Sequence, residues 1–378
     1  MKKKRIVVGG QLPPPQGGQN IMTARILDEL RRDTSFETVH WAFFFSRDLN
    51  TMRRASFGKI IQLILCLWRL LRIRIAGPID LLLYPGGGPH FVPIVRDICL
   101  LPLVRLASRR LVVQFHAAGI AEKLKKPHLV HRVLALVTRQ ADAAIVMSDY
   151  NCIDPESLGI RKIYTIPHRL KDESAGRRDA SPQRESNRML YVGHLCPDKG
   201  TPALLAAFGK VLRDYPNLRL ELVGEPLVPY DWKTLEMHAR RLEIEGALDL
   251  SGVLTGTEKW QAFERASVFI FPTIAPYESF GLVLVEAMMF GLPILATDWR
   301  GNRDVLGDSA GGIVFPADGP LATRVEQAIR EAIARRDEWP LWGAKNRKRF
   351  ESHFQSSDDN LDYVDFVRRT LGLPPDID

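Results

Sequence analysis

The chain has 378 residues, 46% of them hydrophobic and 25% charged, which is the balance of a folded globular protein and a length that favours two domains. No apolar run approaches the twenty residues or so of a membrane-spanning helix, and the opening MKKKRIVVGG has too short an apolar run for a secretory signal. The four cysteines are scattered without a CxxC pair, so we expect no disulfide framework and no zinc site, and a cytoplasmic location.

Charge is distributed unevenly along the chain. Residues 1–170 contain 26 Lys and Arg against 12 Asp and Glu, a net +14, whereas the remainder contains 26 against 32, a net −6. The basic half predicts an anionic partner: a membrane surface, a diphosphate-bearing lipid or nucleic acid. The alternative is a solvated basic face with no partner. Nucleic acid is disfavoured, because no aromatic-basic motif is present and the second half is acidic.

A glycine-rich loop follows the first predicted strand. Residues 5–8 form this strand, and the loop GGQLPPPQGGQN leads from it to a helix over 20–32 with apolar residues at helical spacing. In such a unit Gly17 and Gly18 let the backbone approach a phosphate group. The sequence has neither GxGxxG nor a Walker motif, so a glycine-rich turn without a ligand is an equal alternative.

Strands and helices continue to alternate up to residue 167. The predicted elements are a strongly apolar helix with a basic end (57–74), a strand (80–84), a loop (85–90), a helix (91–108), a strand (111–115), a basic helix bent at Pro127 (121–139) and strands over 141–148 and 162–167. His116 directly follows strand 111–115, where the carboxyl end of a parallel strand faces the ligand crevice. The alternative is a histidine satisfied within the core.

A polar, charged stretch over 171–188 predicts a linker before a second series of elements. The predicted strands are 188–193, 218–224, 248–254, 268–273, a short one from 293 and 311–315; the predicted helices are 201–214, 232–244, 257–266, 282–290, 321–335, 340–354 and 358–372. The loop 194–200 holds Lys199. Both halves therefore predict open parallel sheets that face each other, an α/β fold. We expect domains over 1–170 and 189–352, and a terminal helix and tail over 353–378.

Two carboxylates bracket an otherwise apolar stretch at 277–297, YESFGLVLVEAMMFGLPILAT. The composition predicts a buried helix over 282–290 that ends at Gly291. Glu286 lies on this helix, where a carboxylate is costly unless it is paired or hydrogen-bonded. Glu278 precedes the helix in a loop. Both carboxylates are candidates for accepting hydrogen bonds from ligand hydroxyls.

The beginning of the same helix is a candidate phosphate site. The backbone N–H groups of Phe280, Gly281 and Leu282 lie at its N-terminus, where amides lack intrahelical partners and attract anions. Phosphate donors beside two carboxylates suit a nucleotide sugar.

These features together resemble the retaining glycosyltransferases of family 4, the glycosyl transferases group 1, which have the GT-B fold. The resemblance is carried by Glu278-SFGLVLV-Glu286 (an EX7E motif), by YVGHLCPDKG around Lys199, by LVGEP (222–226), by PQGGQN and by VQFHAAG. It is strong over 188–306 and weaker before residue 170. It implies two Rossmann-like parallel-sheet domains facing a central cleft, with the C-terminal helix crossing back to the N-terminal domain.

The resemblance also implies roles for individual residues. Glu286 would hold the ribose of the donor, Glu278 the transferred sugar, and Lys199 the leaving diphosphate. His116 would lie beside the sugar and the reaction centre. The further donor-binding positions implied are Gly17, Gly18, Gly193, His194, Glu225, Phe280, Gly281 and Leu282. No metal or other cofactor is implied, and neither glutamate has to act as a nucleophile, since the charge that develops on the diphosphate is met by a lysine and a helix N-terminus.

The sequence departs from the family pattern at three places. His194 stands where the family usually has Arg, His168-Arg169 where it usually has Asn-Gly, and Asp304 where it usually has Glu. The first two departures motivate an alternative, a nucleotide-sugar-binding protein that has lost catalysis. A nucleotide-sugar epimerase or a phosphorylase of similar fold is a further alternative.

The predicted function is transfer of a hexose from a UDP-type or GDP-type sugar to a glycan or polyprenyl-diphosphate-linked acceptor, as in bacterial polysaccharide assembly. The apolar and basic helices over 57–74, 91–110 and 121–139 suggest peripheral contact with an anionic membrane at its cytoplasmic face. The alternative is that Ile61, Leu65, Trp68 and Leu71 are core residues.

Overall fold

The computed structural model describes residues 3–13, 18–43, 57–125, 128–177, 184–307, 311–357 and 362–374. The chain divides into two compact units. The first unit comprises Met1–His168 together with Asp358–Asp378, and the second comprises Arg169–Ser357.

The first unit is built on a parallel sheet of six strands. They are β1 (Lys4–Gly10), β2 (Phe36–Ala42), β3 (Ile79–Gly86), β4 (Ser108–Phe115), β5 (Ala143–Val146) and β6 (Ile163–Thr165). Their order in the sheet is β2-β1-β3-β4-β5-β6, with parallel pairing throughout. The order reverses between β1 and β3, and in open α/β sheets ligands bind at the strand carboxyl ends beside such a switch point.

Helices cover this sheet. They are α1 (Gly18–Arg32), α2 (Phe57–Ala76), α3 (Phe91–Ala107), α4 (Ile120–Leu124), α5 (Leu129–Thr138) and α6 (Ile153–Ser157). The single helix predicted over 121–139 is wrong, because two helices, α4 and α5, occupy this stretch. The sequence between the two helices contains Pro127, and a proline lacks an N–H donor and disfavours helical geometry in the residue before it. Residues 126–127 lie outside the described part of the chain.

The second unit is built on another parallel sheet of six strands. They are β7 (Arg188–Val192), β8 (Arg219–Val223), β9 (Leu248–Gly252), β10 (Val268–Phe271), β11 (Ile294–Asp298) and β12 (Gly312–Pro316). The order β12-β11-β10-β7-β8-β9 places β7 against β10 at the centre, with parallel pairing in every ladder. This is the doubly wound order of nucleotide-binding sheets, with the switch point between β7 and β10.

The helices of the second unit alternate with its strands. They are α7 (Thr201–Leu212), α8 (Trp232–Arg241), α9 (Gly256–Arg265), α10 (Leu282–Met289), α11 (Asn302–Leu306), α12 (Leu321–Ala334) and α13 (Trp339–Arg349). A π-helical turn over Phe350–Phe354 follows α13. The predicted two-sheet α/β fold is thus confirmed.

The last helix, α14 (Asp362–Leu371), belongs to the first unit. The backbone N–H groups of Tyr363 and Val364 donate to Glu29 Oε1 at 2.6 and 3.2 Å, so a carboxylate of α1 caps the start of α14. Arg368 Nε donates to Asp33 Oδ2 at 2.7 Å near the other end of the helix. The prediction that the C-terminal helix returns to the N-terminal domain is confirmed by this packing.

The stretch predicted as a linker is partly built into the second unit. Asp172 forms an ion pair with Arg347 of α13, and the Arg347 guanidinium also donates to the carbonyl of Met289 at 2.8 Å. Ser174 is fully buried, and its hydroxyl donates to the same carbonyl at 3.2 Å. Residues 171–177 therefore pack as part of the second unit, whereas 178–183 lie outside the described residues.

Candidate active site

The candidate site of the second unit lies at the carboxyl ends of its two central strands. Gly193 and His194 follow β7, and Pro272 and Thr273 follow β10. Because β7 and β10 are parallel neighbours at the switch point, the loops that leave them emerge at the same edge of the sheet.

Glycines allow these loops to pack backbone to backbone. A Cβ on Gly224, which follows β8, would lie 1.9 Å from the Gly193 carbonyl oxygen. A Cβ on Gly200 would lie 2.1 Å from the carbonyl oxygen of Pro272, and Gly200 also has a φ of 79°. Any side chain at either position would force the loops apart. The glycines that appear in the sequence motifs therefore set the separation of the loops.

Lys199 and Glu278 form an ion pair at this edge. Lys199 ends a 3₁₀ turn (Pro197–Lys199), and its Nζ lies 2.5 Å from Glu278 Oε2. Both side chains are nearly buried, with exposed fractions of 12% and 10%. The hydroxyl of Thr273 donates to the same carboxylate oxygen at 3.3 Å. The structure thus brings together two residues that lie 79 positions apart and that the sequence analysis singled out separately.

A hydrogen-bonded frame supports the loop that carries Glu278. Thr297 at the end of β11 donates its hydroxyl to the Thr273 carbonyl at 2.6 Å. The indole Nε1 of Trp299 donates to the Ala275 carbonyl at 2.8 Å. Thr273, Thr297 and Trp299 were missed as support residues in the sequence analysis, because they follow their strands without any spacing pattern that links them to Glu278.

The helix that follows this loop begins where the sequence predicted. Gly281 precedes α10 with a φ of 63°, and a Cβ there would lie 3.0 Å from Asn302 Oδ1. The amides of Gly281 and Leu282 belong to the first turn, whose N–H groups have no acceptor within the helix. The side chain of Phe280 is buried and packs edge-on against Phe354, with ring centroids 5.9 Å apart. Only the backbone of Phe280 is therefore suited to ligand contact.

Glu286 has a lysine partner that the sequence analysis did not identify. Its Oε1 lies 2.6 Å from Lys259 Nζ on α9, while its Oε2 is buried and accepts no hydrogen bond from any described residue. Lys259 Nζ also lies 5.1 Å from the ring centre of Trp260, which stacks on Phe290. The pairing explains how a carboxylate is tolerated on a buried helix, and it leaves one oxygen able to accept a hydroxyl.

His194 is an uncharged residue beside Lys199. Burial lowers the pKa of His194 to about 4, and the positive charge of Lys199 acts in the same direction. Its Nδ1 is buried and has no hydrogen-bond partner among the described residues. The nearby Glu225 is half-buried, and its carbonyl accepts from the Leu195 amide at 2.9 Å. At neutral pH His194 supplies a polar ring without the charge that an arginine would bring.

The remaining predicted site residues belong to the first unit. His116 directly follows β4 and is stacked on His168, with ring centroids 5.8 Å apart and ring planes 13° apart. Burial lowers the pKa of His116 to about 4 and that of His168 well below its usual value. Gly18 is exposed at the first position of α1, whereas Gly17 lies outside the described residues.

No cluster of three or more His, Cys, Asp or Glu suited to a metal ion occurs among the described residues. The sequence also contains an Asp-x-Asp triplet at Asp376–Asp378, which lies outside the described residues. Within the same part of the chain, no helix is both long and apolar enough to cross a membrane.

Curated relatives resemble parts of this chain. Over 198 residues it is 31% identical to the phosphatidyl-myo-inositol mannosyltransferase of Mycobacterium tuberculosis, covering 47% of this chain and 50% of that protein. Over 268 residues it is 26% identical to the D-inositol 3-phosphate glycosyltransferase of Geodermatophilus obscurus, covering 64% and 57%. The chain thus spans about half the length of the curated relatives it matches.

Solved structures resemble the whole chain. Sucrose-phosphate synthase from Thermosynechococcus elongatus superimposes with a TM-score of 0.77 at 17% identity, covering 98% of this chain and 100% of that one. Anabaena HepE, solved in complex with UDP, gives a TM-score of 0.69 at 16% identity, covering 98% and 99%. At such identities the likeness establishes the fold, which is that of GT-B glycosyltransferases. Residues 173–350, nearly all of the second unit, match the family described as Glycosyl transferases group 1, and the second unit therefore belongs to that family.

Proposed function

We propose that this chain is a retaining glycosyltransferase of family 4 that moves a hexose from a nucleotide-diphosphate sugar of UDP or GDP type to an acceptor. The observation that carries the proposal is the arrangement at the β7–β10 switch point: Lys199 paired with Glu278, and Glu286 with one buried oxygen lacking a partner. A diphosphate needs cations, and sugar hydroxyls need acceptors. This edge of the sheet supplies both.

The proposed chemistry follows from the charges of the site. The bond between the sugar C1 and the diphosphate oxygen breaks, and the diphosphate keeps the electron pair. The acceptor hydroxyl oxygen forms the new bond to C1, and its proton passes to a phosphate oxygen of the leaving group. Lys199 and the amides at the start of α10 stabilise the negative charge that develops on the diphosphate. Since these groups supply the positive charge, we propose that no metal is required, so turnover should survive EDTA.

The remaining residues take positioning roles in the proposal. Glu286 accepts hydroxyl hydrogen bonds from the ribose, and Glu278 accepts them from the transferred sugar. Gly193, His194 and Glu225 belong to the donor pocket of the second unit. His116 contacts the sugar, and Gly18 approaches the phosphates through its backbone.

The proposed acceptor is a lipid-linked glycan, such as a polyprenyl-diphosphate-linked intermediate, reached at the surface of an anionic membrane. Two facts support it. The first half of the sequence carries a net charge of +14, and the relative from Mycobacterium tuberculosis is by name a phosphatidyl-myo-inositol mannosyltransferase. A cytoplasmic protein that associates peripherally with the membrane would meet such an acceptor.

The test is a transfer assay with purified protein. It is incubated with UDP-, GDP- and dTDP-sugars and a bacterial lipid extract, and products are identified by mass spectrometry. We expect one donor to be consumed and a hexose to appear on a lipid, with the anomeric configuration of the donor. Absence of transfer, donor hydrolysis and nucleotide binding together would eliminate the proposal.

A second candidate function is a nucleotide-sugar-binding protein without catalysis. It is favoured by His194, which is neutral at pH 7 where the family usually has a permanent cation. Calorimetry with UDP and GDP, followed by the transfer assay, separates the two candidates. Binding without any product would favour this second function.

A further inference from the structure

The outward side of α2 is apolar. Its exposed large side chains range from 44% exposed at Leu65 to 76% at Ile75. Among the side chains of α2 that the structure describes, they are Ile60, Ile61, Ile64, Leu65, Trp68, Leu71 and Ile75. At about 100° per residue they fall within one arc of about 140°, while Cys66 and Leu70 are buried on the opposite side. The alternative that Ile61, Leu65, Trp68 and Leu71 are core residues is therefore wrong.

The outward side of α3 is apolar as well. Its exposed residues are Phe91, Val95, Cys99, Leu103 and Leu106, spaced three or four positions apart. Phe91 is 67% exposed and Leu106 is 83% exposed. On this helix, whose residues are all described, the charged side chains are buried or half-buried. An ordinary surface helix shows the reverse pattern, with charged residues outward.

These two sides form one surface, because α2 packs against α3 and their inward residues share one core. We call the exposed hydrophobic side chains of the two helices the apolar layer. Each of the two helical segments, 60–75 and 91–106, is about 22 Å long. Packed helices lie about 8–10 Å apart, so the two segments together cover on the order of 400 Å². An apolar surface of this size equals the largest patch of a typical monomer, and such patches often serve a function.

The exposed charged side chains described on α2 and on the neighbouring helix α5 are all arginines. The sequence of α2 contains no acidic residue, and Arg72 and Arg74 are exposed on it. The Arg72 guanidinium lies 4.7 Å from the ring centre of Trp68. Arg132 is exposed on α5, which also packs against α3 and adds the exposed Leu129. Aliphatic residues and a tryptophan bordered by arginines are typical of helices that lie in a membrane interface.

We propose that the apolar layer docks on an anionic lipid bilayer, with α2 and α3 lying in the plane of the interface. Charge complementarity selects this occupant. A second copy of the chain would place two positively charged copies of the same surface against each other, since a two-fold interface joins identical surfaces. Anionic headgroups neutralise the arginines while the acyl boundary accepts the aliphatic side chains. The inference rests on the proposed function for its purpose, which is access to a lipid-linked acceptor.

Flotation with lipid vesicles tests the proposal. The full chain is mixed with phosphatidylcholine vesicles that contain about 30% phosphatidylglycerol, or with phosphatidylcholine alone. The variant carries Ile64→Ser, Trp68→Ser and Leu106→Ser, all at exposed positions, so the core is untouched. The control carries Met237→Ser and Leu341→Ser, which are 57% and 55% exposed in the second unit.

We expect the wild type and the control to float with anionic vesicles, and the layer variant to partition at least about tenfold more weakly. High salt should weaken binding of the wild type. Equal flotation of the layer variant, or no flotation of the wild type, would overturn the proposal. So would a dimer in sedimentation that the layer variant abolishes without any lipid binding, because the layer would then be a self-association surface.

A fluorescent label on Cys99 gives a local readout. Cys66 and Cys196 are buried, and the half-buried Cys152 is replaced by serine, which leaves Cys99 in the centre of the layer for labelling. Emission should shift to the blue with anionic vesicles, and an unchanged spectrum under conditions where the protein floats would place the contact elsewhere. Nucleotide binding by calorimetry is measured on the same proteins. Retained nucleotide binding with lost flotation confines the defect to the layer, whereas a wild type that floats but binds no nucleotide would contradict the proposed function alone.

Discussion

Replacement of Glu286 by glutamine tests the assignment of this carboxylate to the ribose of the donor. Its Oε1 lies 2.6 Å from Lys259 Nζ, and its buried Oε2 has no hydrogen-bond partner among the described residues. Glu286→Gln keeps the size of the side chain and an oxygen that can still accept from Lys259. It replaces the second oxygen by an amino group, which cannot accept a hydroxyl hydrogen bond.

The expected magnitude follows from the lost interaction. A hydrogen bond to a charged group contributes about 1.5–3 kcal/mol, and a factor of ten in affinity corresponds to about 1.4 kcal/mol. Nucleotide binding should therefore weaken by about 10- to 100-fold. The free energy of unfolding should fall by only about 1 kcal/mol. The loss is small because Lys259 keeps an acceptor and its ammonium group reaches solvent.

The assay is a double-mutant cycle in which the second change is made in the ligand. Calorimetry measures binding of UDP or GDP, whichever the wild type binds, and of the 2′,3′-dideoxy form of the same nucleotide. If Glu286 holds the ribose, the wild type binds the dideoxy nucleotide more weakly than the normal nucleotide. The Glu286→Gln variant, which has already lost the ribose contact, should then bind the two nucleotides with nearly equal affinity. Strictly additive losses would mean that Glu286 does not contact the ribose hydroxyls, whatever the variant does to stability.

Three other changes have distinct expected outcomes. Glu278→Gln should lower turnover by about 100-fold without weakening nucleotide binding, because Lys199 is retained and loses only its carboxylate partner. Steady-state kinetics and calorimetry measure the two effects, and equal losses in both would contradict the division of labour with Glu286. Because the pKa of His116 is about 4 in the folded chain and near 6.5 when unfolded, the unfolded chain binds more protons between these values, so the free energy of unfolding should fall as the pH drops from about 6.5 to 4. Urea titrations over this pH range should show that the free energy of unfolding falls less with pH in His116→Gln than in the wild type. An identical pH dependence in the two proteins would refute the prediction. Gly224→Ala should cost more than about 3 kcal/mol or prevent folding, since its Cβ would lie 1.9 Å from a carbonyl oxygen, whereas Gly246→Ala, with nothing within 4 Å, should be tolerated; similar melting temperatures for the two would argue against close loop packing.

Much of the fold was predictable from the sequence because buried parallel strands are short apolar runs bounded by glycine and proline. The strand β7 and the helix α10 were predicted to within one or two residues. The edge strand β2 was missed, since its sequence FETVHWA mixes polar and apolar residues and is only partly buried. The five-residue helix α11 was missed because it is too short for a periodic signal. The order of strands within each sheet depends on long-range packing, which local patterns do not record.

The candidate site was predictable where residues are tied by a fixed spacing. Glu278 and Glu286 were found because they flank one helix start, and Lys199 because a glycine-basic loop surrounds it. Lys259 was not found, because its partner lies 27 positions away on another helix and no spacing links them. The neutral state of His194 also depends on tertiary burial, which a sequence does not display.

The two ion pairs restrict which kind of ligand can satisfy the site of the second unit. Without a ligand, each carboxylate is balanced by a lysine: Glu278 by Lys199 and Glu286 by Lys259. A diphosphate alone would draw Lys199 towards its oxygens and leave a nearly buried carboxylate with only the weak hydrogen bond from Thr273. A free sugar would offer hydroxyls to the carboxylates but no anion for the lysine and the amides of α10. A nucleotide sugar carries the anion and the hydroxyl donors in one molecule, so its binding compensates both lysine and carboxylate at once. This complementarity is the physical reason for proposing a nucleotide-sugar donor rather than a simple phosphate or a simple sugar.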